Sequence, residues 1–505
     1  MSSPPVPANW LARDFTASIV VFLVAMPLCM GIAVASGVPP EKGLITGIIG
    51  GVVVGLLAGS PLQVSGPAAG LAVIVFEIVQ QHGLSALGPI LIIAGAIQVV
   101  AGIFRLGGWF RAISPAVVHG MLAGIGLLIV LGQFHVLFDA KPLANGLENL
   151  IAIPGRVLGL WPADGHPAIP ALAIGLLSIG GTLLWEKLRP GSLRLVPGAL
   201  VGVVAATLAA YFTGLDVARV DVPESIMGAI AVPTGEQMGA MANPAILVTA
   251  LAIAFIASAE TLLSAAAVDR MHDGPRTDYN KELRAQGVGN LLCGAAGALP
   301  MTGVIVRSSA NVQAGAVTRM SAVMHGVWIL ALVAALPWLL REIPMAALGG
   351  ILVVTGWRLV SLQHVRHLLH AHGPLPAVIW AATLVMVVAT DLLTGVLVGL
   401  GLSLIEIVPN LRRLKLGVEK NHEDEPVSEL KLDGVASFVS LPKLSSALDS
   451  LPADRPIRMD VTGLRSIDHT CAEMLAEWWQ RQRARGTTLE ISGAQGRLAK
   501  LLAAH

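Results

Sequence analysis

Charge is what this 505-residue chain has least of: 13% of its residues are Asp, Glu, Lys or Arg, against 54% hydrophobic. A soluble fold of that length needs far more charge to cover its surface, whereas lipid solvates the exterior of an integral membrane protein. Aromatic residues are scarce as well, at 4%, and no basic stripe with interleaved aromatics occurs, which excludes nucleic acid as a partner. Cys29, Cys293 and Cys471 stand far apart without metal-ligand spacing, so neither a disulfide framework nor a zinc site is indicated. Nor is a cleavable signal peptide indicated: the first apolar run, from about Phe15, lacks a basic n-region and a clear small-residue cleavage site and is long enough to be a span. A net charge of +1 points to no class of partner.

What the chain has in quantity is small and helix-breaking residues, 55 glycines and 31 prolines, with a mean hydropathy of +0.74. Small residues let membrane helices approach closely, and prolines break them where a site is needed. The apolar pattern predicts spans near 15–36, 43–59, 67–80, 86–104, 113–138, 168–186, 194–213, 243–268, 284–299, 303–316, 318–340, 345–360, 374–392 and 394–411. Two of these, 67–80 and 303–316, are too short to cross about 30 Å of hydrocarbon as helices. Each begins beside a break, VSGPAAG at Val64–Gly70 and GALPMTG at Gly297–Gly303. Short, interrupted segments at corresponding places in two halves point to a transport site built from discontinuous helices. SPAVVHGMLAG at Ser114–Gly124 and IPMAALGGILV at Ile343–Val353 share a Pro followed five residues later by Gly, a faint trace of duplication.

Loop charge gives the orientation. With the N-terminus inside, the cytoplasmic loops hold Arg105 and Arg111; Lys187, Arg189 and Arg194; Arg270, Arg276, Lys281 and Arg284; Arg319; Arg358 and Arg366; and Arg412, Arg413 and Lys415. The opposite side receives Asp216, Asp221, Glu224 and Glu236, which is the positive-inside pattern. An even number of spans leaves both termini cytoplasmic. From Leu414 the composition changes, dividing the chain into a membrane domain over 1–413 and a soluble domain over 414–505. That tail reads as strand SELKLDGVASFVSL, a helix from Pro442, strand IRMDVTG, a helix from about Thr470 to Arg485, strand TTLEISG and a last helix from Ala494. Alternating strand and helix predict a small α/β domain.

Polar groups inside spans are costly and are functional candidates by default. They are Glu260, mid-span in AFIASAETLLSAAAVD; Arg307, Ser308, Ser309, Asn311 and Gln313 in the second short helix; Glu77 in the first; and Gln98, His119 and Gln133 elsewhere. If both short helices start near the bilayer midplane, their unpaired N–H groups and positive dipole ends face a shared cavity. Gly66, Pro67, Ala68, Ala69, Gly70, Thr302 and Gly303 would let a ligand approach the backbone. Arg307, about one turn past Gly303, adds a fixed positive charge, with Ser308 beside it. Two positive helix ends and a guanidinium select a small anion; the competing reading makes the glycines packing devices and pairs Arg307 with an acid. Glu260 is the natural coupling group: it would carry a proton, coordinate Na⁺ with Ser264 one turn later, or neutralise Arg307. Glu77 is read as a surface-side acid and His119 and Gln133 as helix–helix hydrogen-bonders. The histidines of His364–His372 are read as a solvated loop rather than a metal site. No nucleophile–base pair or metal constellation stands out, so the reading is not an enzyme, and the only small ion expected beside the substrate is Na⁺.

These residues carry a resemblance. VSGPAAGLAV, ASAETLLSAAAVDR, DYNKELRAQGVGN and TGVIVRSSANVQAGAVTR, in that order, resemble the SulP anion transporters over nearly the whole chain. The tail resembles a reduced STAS domain, with IDHT at Ile467–Thr470 where that domain usually has an Asp-Ser-Ser/Thr-Gly turn. His469 and Cys471 there replace a Ser and a Gly, so a scaffold or dimer-contact role is expected ahead of phosphorylation at Thr470. The resemblance implies an α-helical polytopic fold of about fourteen spans in two inverted seven-span repeats, divided into core and gate domains. It implies a substrate held between the third and tenth spans, an elevator-like motion, a homodimer and a place in the inner membrane. It puts Gly66–Gly70 and Thr302–Ser309 on the binding site and Glu260 on the acid linked to cation coupling. Pro27 is followed by Leu28, with Ile32 where relatives commonly have an aromatic, so the side wall is more apolar than usual. ASIVVFLVAMPLCMGIAVASG is similar to a bacterial subgroup often associated with carbonic anhydrases, which implies bicarbonate ahead of sulfate, then a dicarboxylate. The competing function is a passive anion channel or an anion-sensing scaffold.

Overall fold

In the computed structural model, proline and glycine cut the apolar tracts into helices much as the sequence indicates. The structure describes residues 9–110, 114–143, 145–159, 168–193, 195–221, 226–239, 243–269, 271–272, 274–360, 374–405, 416–421, 427–437, 440–451, 455–467, 469–484 and 486–494. The histidines of His364–His372, the change of composition at 413/414, Asp468 and the tail beyond 494 lie outside them.

Helix α1 (Trp10–Ala35) ends where Gly37 turns the chain at φ +68°, and α2 starts with Pro40 in its first turn, where a missing N–H costs nothing. α2 (Pro40–Leu57) widens to a π-helical turn over Gly50–Val54. A three-residue strand β1 (Ser65–Pro67) precedes the short helix α3 (Ala69–His82). Then come α4 (Leu87–Ile103), α5 (Pro115–Val136), α6 (Gly146–Leu158), α7 (Ile169–Leu188), α8 (Gly198–Thr213), α9 (Pro244–Asp269) and α10 (Tyr279–Ala295). Strand β2 (Met301–Gly303) leads into the second short helix, α11 (Ile305–Gln313), followed by α12 (Met320–Ala335), α13 (Met345–Leu359), α14 (Pro374–Ala389) and α15 (Leu392–Ile405). Each predicted apolar segment holds a helix. Among the described residues six helices are long and apolar enough to cross a membrane, and most of the rest are shorter apolar helices. Helix α6, capped by Asn145 through a bond to the Glu148 N–H, and the pair of strands have no counterpart in the sequence reading.

The chain divides into two units, Met1–Gly107 with Leu122–Val360 and Val387–Leu393, and Gly108–Met121 with Ser361–Met386 and Thr394–His505. In the first, α4 and α10 lie backbone against backbone: a Cβ on Gly95 would meet the Leu291 nitrogen at 2.5 Å, and one on Gly287 the Val99 nitrogen at 2.6 Å. Such close approach lets dispersion and weak polar contacts replace the hydrophobic drive that lipid removes. A second apolar core joins α1, α2, α7, α8, α12 and α13 through residues such as Met30, Leu44, Ile174, Ala206, Ile329 and Ile351.

In the second unit the tail forms a four-stranded sheet in the order β3-β4-β5-β6, from β3 (Leu416–Asn421), β4 (Ser428–Ala436), β5 (Ile457–Ile467) and β6 (Leu489–Ser492). β3 pairs antiparallel with β4, and the other two pairings are parallel, joined by α16 (Leu441–Asp449) and α17 (His469–Ala484). In β4, Leu430 and Leu432 point into the core while Lys431 and Asp433 face out, the period-two pattern of a half-buried strand. Met459, Leu475 and Trp478 complete that core. The α/β expectation therefore matches, with β3 as an extra strand.

Candidate anion site

The two breaks are paired strands. Ser65 lies opposite Gly303, Gly66 opposite Thr302 and Pro67 opposite Met301, antiparallel, so β1 and β2 bring the starts of α3 and α11 side by side. The pairing satisfies backbone groups that lipid could not. Neither helix has a side-chain cap: Ala68 and Val304 occupy the N-cap positions in extended conformation, leaving the first-turn N–H groups unserved by side chains.

Each expected site residue has a definite place. Gly66 and Pro67 are in β1, Ala68 caps α3, and Ala69 and Gly70 open it. Thr302 and Gly303 are in β2, and Arg307 and Ser308 lie in the first turn of α11. Glu260 and Ser264 are one turn apart on α9. The structure brings both breaks, Arg307 and Glu260 together, although the small residues do something other than expose backbone. A Cβ on Gly66 would sit 2.1 Å from Nη1 of Arg307, and one on Gly70 would sit 2.6 Å from Oε2 of Glu260. The space left by the missing side chains is taken by the Arg307 guanidinium and the Glu260 carboxyl themselves.

Arg307 is fully buried, and its Nη2 donates at 3.4 Å to the Pro67 carbonyl while Nε and Nη1 have no partner. Among the described residues no carboxylate lies within 4.0 Å of it, and the Glu260 carboxyl, with Oε2 unpaired, sits on Gly70. The pairing of Arg307 with Glu260 is therefore absent from this structure. A buried guanidinium with two unserved nitrogens is expensive to hold and is the kind of group an anion would satisfy. The Thr302 hydroxyl is likewise buried without a partner. Ser308 is committed: its hydroxyl donates to the Val304 carbonyl at 2.7 Å and accepts from the Val64 N–H at 2.9 Å, tying α11 to the chain before β1. Ser264, one turn after Glu260 on α9, is buried.

Of the groups that hold this arrangement, only Gln98 is among the polar candidates of the sequence. Asp278 caps α10, and Glu282, Gln286 and Asn290 follow at four-residue steps along one face. Glu282 accepts from the Gly59 and Ser60 N–H groups at 2.8 and 2.9 Å. Gln286 donates to the Ser65 hydroxyl at 2.6 Å. Asn290 clamps Met301 on both sides, accepting from its N–H at 2.8 Å and donating to its carbonyl at 3.2 Å, and it also donates to Gln98 at 2.8 Å. Gln98 in turn donates to Ser258 at 3.1 Å. From α9, Thr261 accepts from the Gly303 N–H at 3.1 Å, and its carbonyl accepts from Gln63 at 3.0 Å. The i, i+4, i+8 spacing of Glu, Gln and Asn inside DYNKELRAQGVGN is the signal that would have found them.

Comparison with known proteins now decides the family, since the Sulfate permease family model matches residues 11–383. The chain belongs to the sulfate permease family. A Mlab, STAS domain model matches residues 421–505, so the α/β tail is a STAS domain. The chain is 30% identical over 506 residues to YvdB of Bacillus subtilis (strain 168), provisionally named a sulfate transporter, covering 97% of this chain and 93% of that one. It is 24% identical over 438 residues to the bicarbonate transporter BicA of Picosynechococcus, covering 81% and 73%. The murine Slc26a9 anion transporter, solved in the inward-facing state, shares the fold at a TM-score of 0.68 and 15% identity over 99% of this chain and 88% of that one. The chain is thus a polytopic membrane anion transporter of this family with a C-terminal STAS domain, and its relatives are transporters rather than enzymes.

Proposed function

We propose that this family member is a secondary active carrier of a small inorganic anion, bicarbonate ahead of sulfate, coupled to Na⁺ or H⁺. The observation that carries the reading is Arg307, fully buried at the paired starts of α3 and α11 with Nε and Nη1 unpartnered. The anion would sit against the first-turn N–H groups of both helices, with Gly66–Gly70, Thr302, Gly303 and the Arg307 guanidinium around it and Ser308 holding the frame. One fixed positive charge suits a monovalent anion better than a divalent one, and a relative named for bicarbonate transport agrees with that preference.

Coupling follows from where Glu260 lies. Its carboxylate rests on Gly70, at the positive end of α3 that the anion would use. An ionised Glu260 competes with the anion for that end; a proton, or Na⁺ held with Ser264, neutralises it and frees the end for substrate. Under this scheme the membrane domain (1–413) has fourteen spans in two inverted repeats and moves a core against a gate like an elevator. Both termini are cytoplasmic in the cell membrane, the chain works as a homodimer, and the tail (414–505) regulates or scaffolds. The test is uptake into proteoliposomes of bicarbonate, sulfate and fumarate in competition at fixed pH. Accumulation driven by an imposed Na⁺ or H⁺ gradient supports the carrier, and a gradient-independent leak overturns it in favour of a channel.

A further inference from the structure

A pocket with an apolar wall and a few polar groups lies on the same helix as the anion site but two turns further along. Ala72, Val73, Phe76 and Glu77 of α3 line it together with Leu128, Gln133 and their neighbours on α5, Leu143 and Asn149 near the start of α6, Val387 in the last turn of α14 and Thr390 just after it. The ends of α1, α3, α5 and α14 converge here, all on the side opposite the N-terminus, which the loop charges make the outer side. Glu77 is partly buried, and Asp391 is close enough to act on it electrostatically. Gln133, 1% exposed, has its side-chain oxygen buried without a donor. No Lys, Arg or His is among the residues lining the pocket. Asn149 is fully used, donating to the Leu143 and Asn145 carbonyls and accepting from the Leu143 N–H, so it shapes the wall rather than offering a ligand.

An anion passage has no use for a carboxylate and an unsatisfied amide oxygen on residues lining one pocket; a hard metal cation uses both, because oxygen donors and negative charge are what it takes. Glu77 is seven residues after Gly70, on the same face of α3 and about 10 Å along the axis. The pocket is thus in line with Glu260, which rests on Gly70. We propose that this pocket binds a sodium ion, with Glu77 supplying the charge and Gln133 a neutral oxygen, as a staging site for the coupling ion distinct from Glu260. The staging role rests on the cation-coupled reading above; the binding itself does not.

The experiment measures the thermal unfolding of the purified full chain in detergent, in NaCl against choline chloride at equal ionic strength. Ligand bound only by the folded state raises the midpoint. To set aside any sodium at Glu260, the comparison is made in the Glu260→Gln background. There the sodium-dependent rise is expected to persist, and to disappear on adding either Glu77→Gln or Gln133→Leu. A rise already absent in Glu260→Gln, or one that survives either addition, overturns the pocket. Failure of gradient-driven uptake in wild type would instead remove the coupling reading and leave the binding result standing.

Discussion

Helices α3 and α11 both begin directly after one strand of the β1–β2 pair, yet their first turns differ in kind. α3 opens with Ala69, Gly70 and Leu71 and offers backbone alone; α11 opens with Ile305, Val306, Arg307 and Ser308 and carries the charge. The backbone end of α3 receives the ionisable groups of others: Arg307 fills the space over Gly66, and Glu260 fills the space over Gly70. The comparison teaches that one half of the site is a socket and the other half a plug, so the two halves should fail differently when altered.

Filling the socket should do the most damage. Gly66→Val places side-chain carbon where Nη1 of Arg307 lies, 2.1 Å from its Cβ, and uptake is expected to fall by about 100-fold or more, as expected when a charged group is displaced from its site. Tracer uptake at saturating anion checks this, with size-exclusion chromatography to verify folding. Glu260→Gln acts on the other socket and should leave substrate entry while removing dependence on the driving ion; retained coupling in that variant would take Glu260 out of the scheme. Loosening the clamp comes next. Asn290→Ala leaves the buried Met301 N–H and carbonyl unserved, which costs about 1–3 kcal/mol of stability and should raise the anion KM more than it lowers kcat. The smallest effect belongs to Ser309→Ala, whose hydroxyl only bonds back to Val306: under about 0.5 kcal/mol and no change in affinity. An affinity loss at Ser309 matching that at Arg307 would break the assignment of α11 to a single charged contact.

Most of the helical layout was legible because membrane spans announce themselves by run length, and both short helices because their Gly/Pro breaks are audible against an apolar background. The cluster of Gly66, Gly70, Thr302, Gly303 and Arg307 follows from those breaks alone. What could not be read is who fills the space at each glycine, since that depends on the packing of α9 against α3 and of α11 against β1, contacts between residues about 190 to 240 positions apart. Three-residue strands such as Ser65–Pro67 carry no periodicity to detect, and β3 is short and isolated in sequence. The Glu282–Gln286–Asn290 ladder was visible as a motif, but its role needed partners on four other segments. In the tail, strand alternation gave β4 and β5 plainly because one face of each packs on the core.

The account stands on Arg307 as the charge that reads the anion. Binding of bicarbonate and sulfate to the purified full chain, wild type against Arg307→Ala with matched unfolding midpoints, tests it directly. The account predicts an affinity lower by about 10- to 100-fold or binding too weak to measure, the worth of a charge-assisted hydrogen-bonding group. Equal affinity in the two proteins would contradict it and make the guanidinium a structural tie to Pro67.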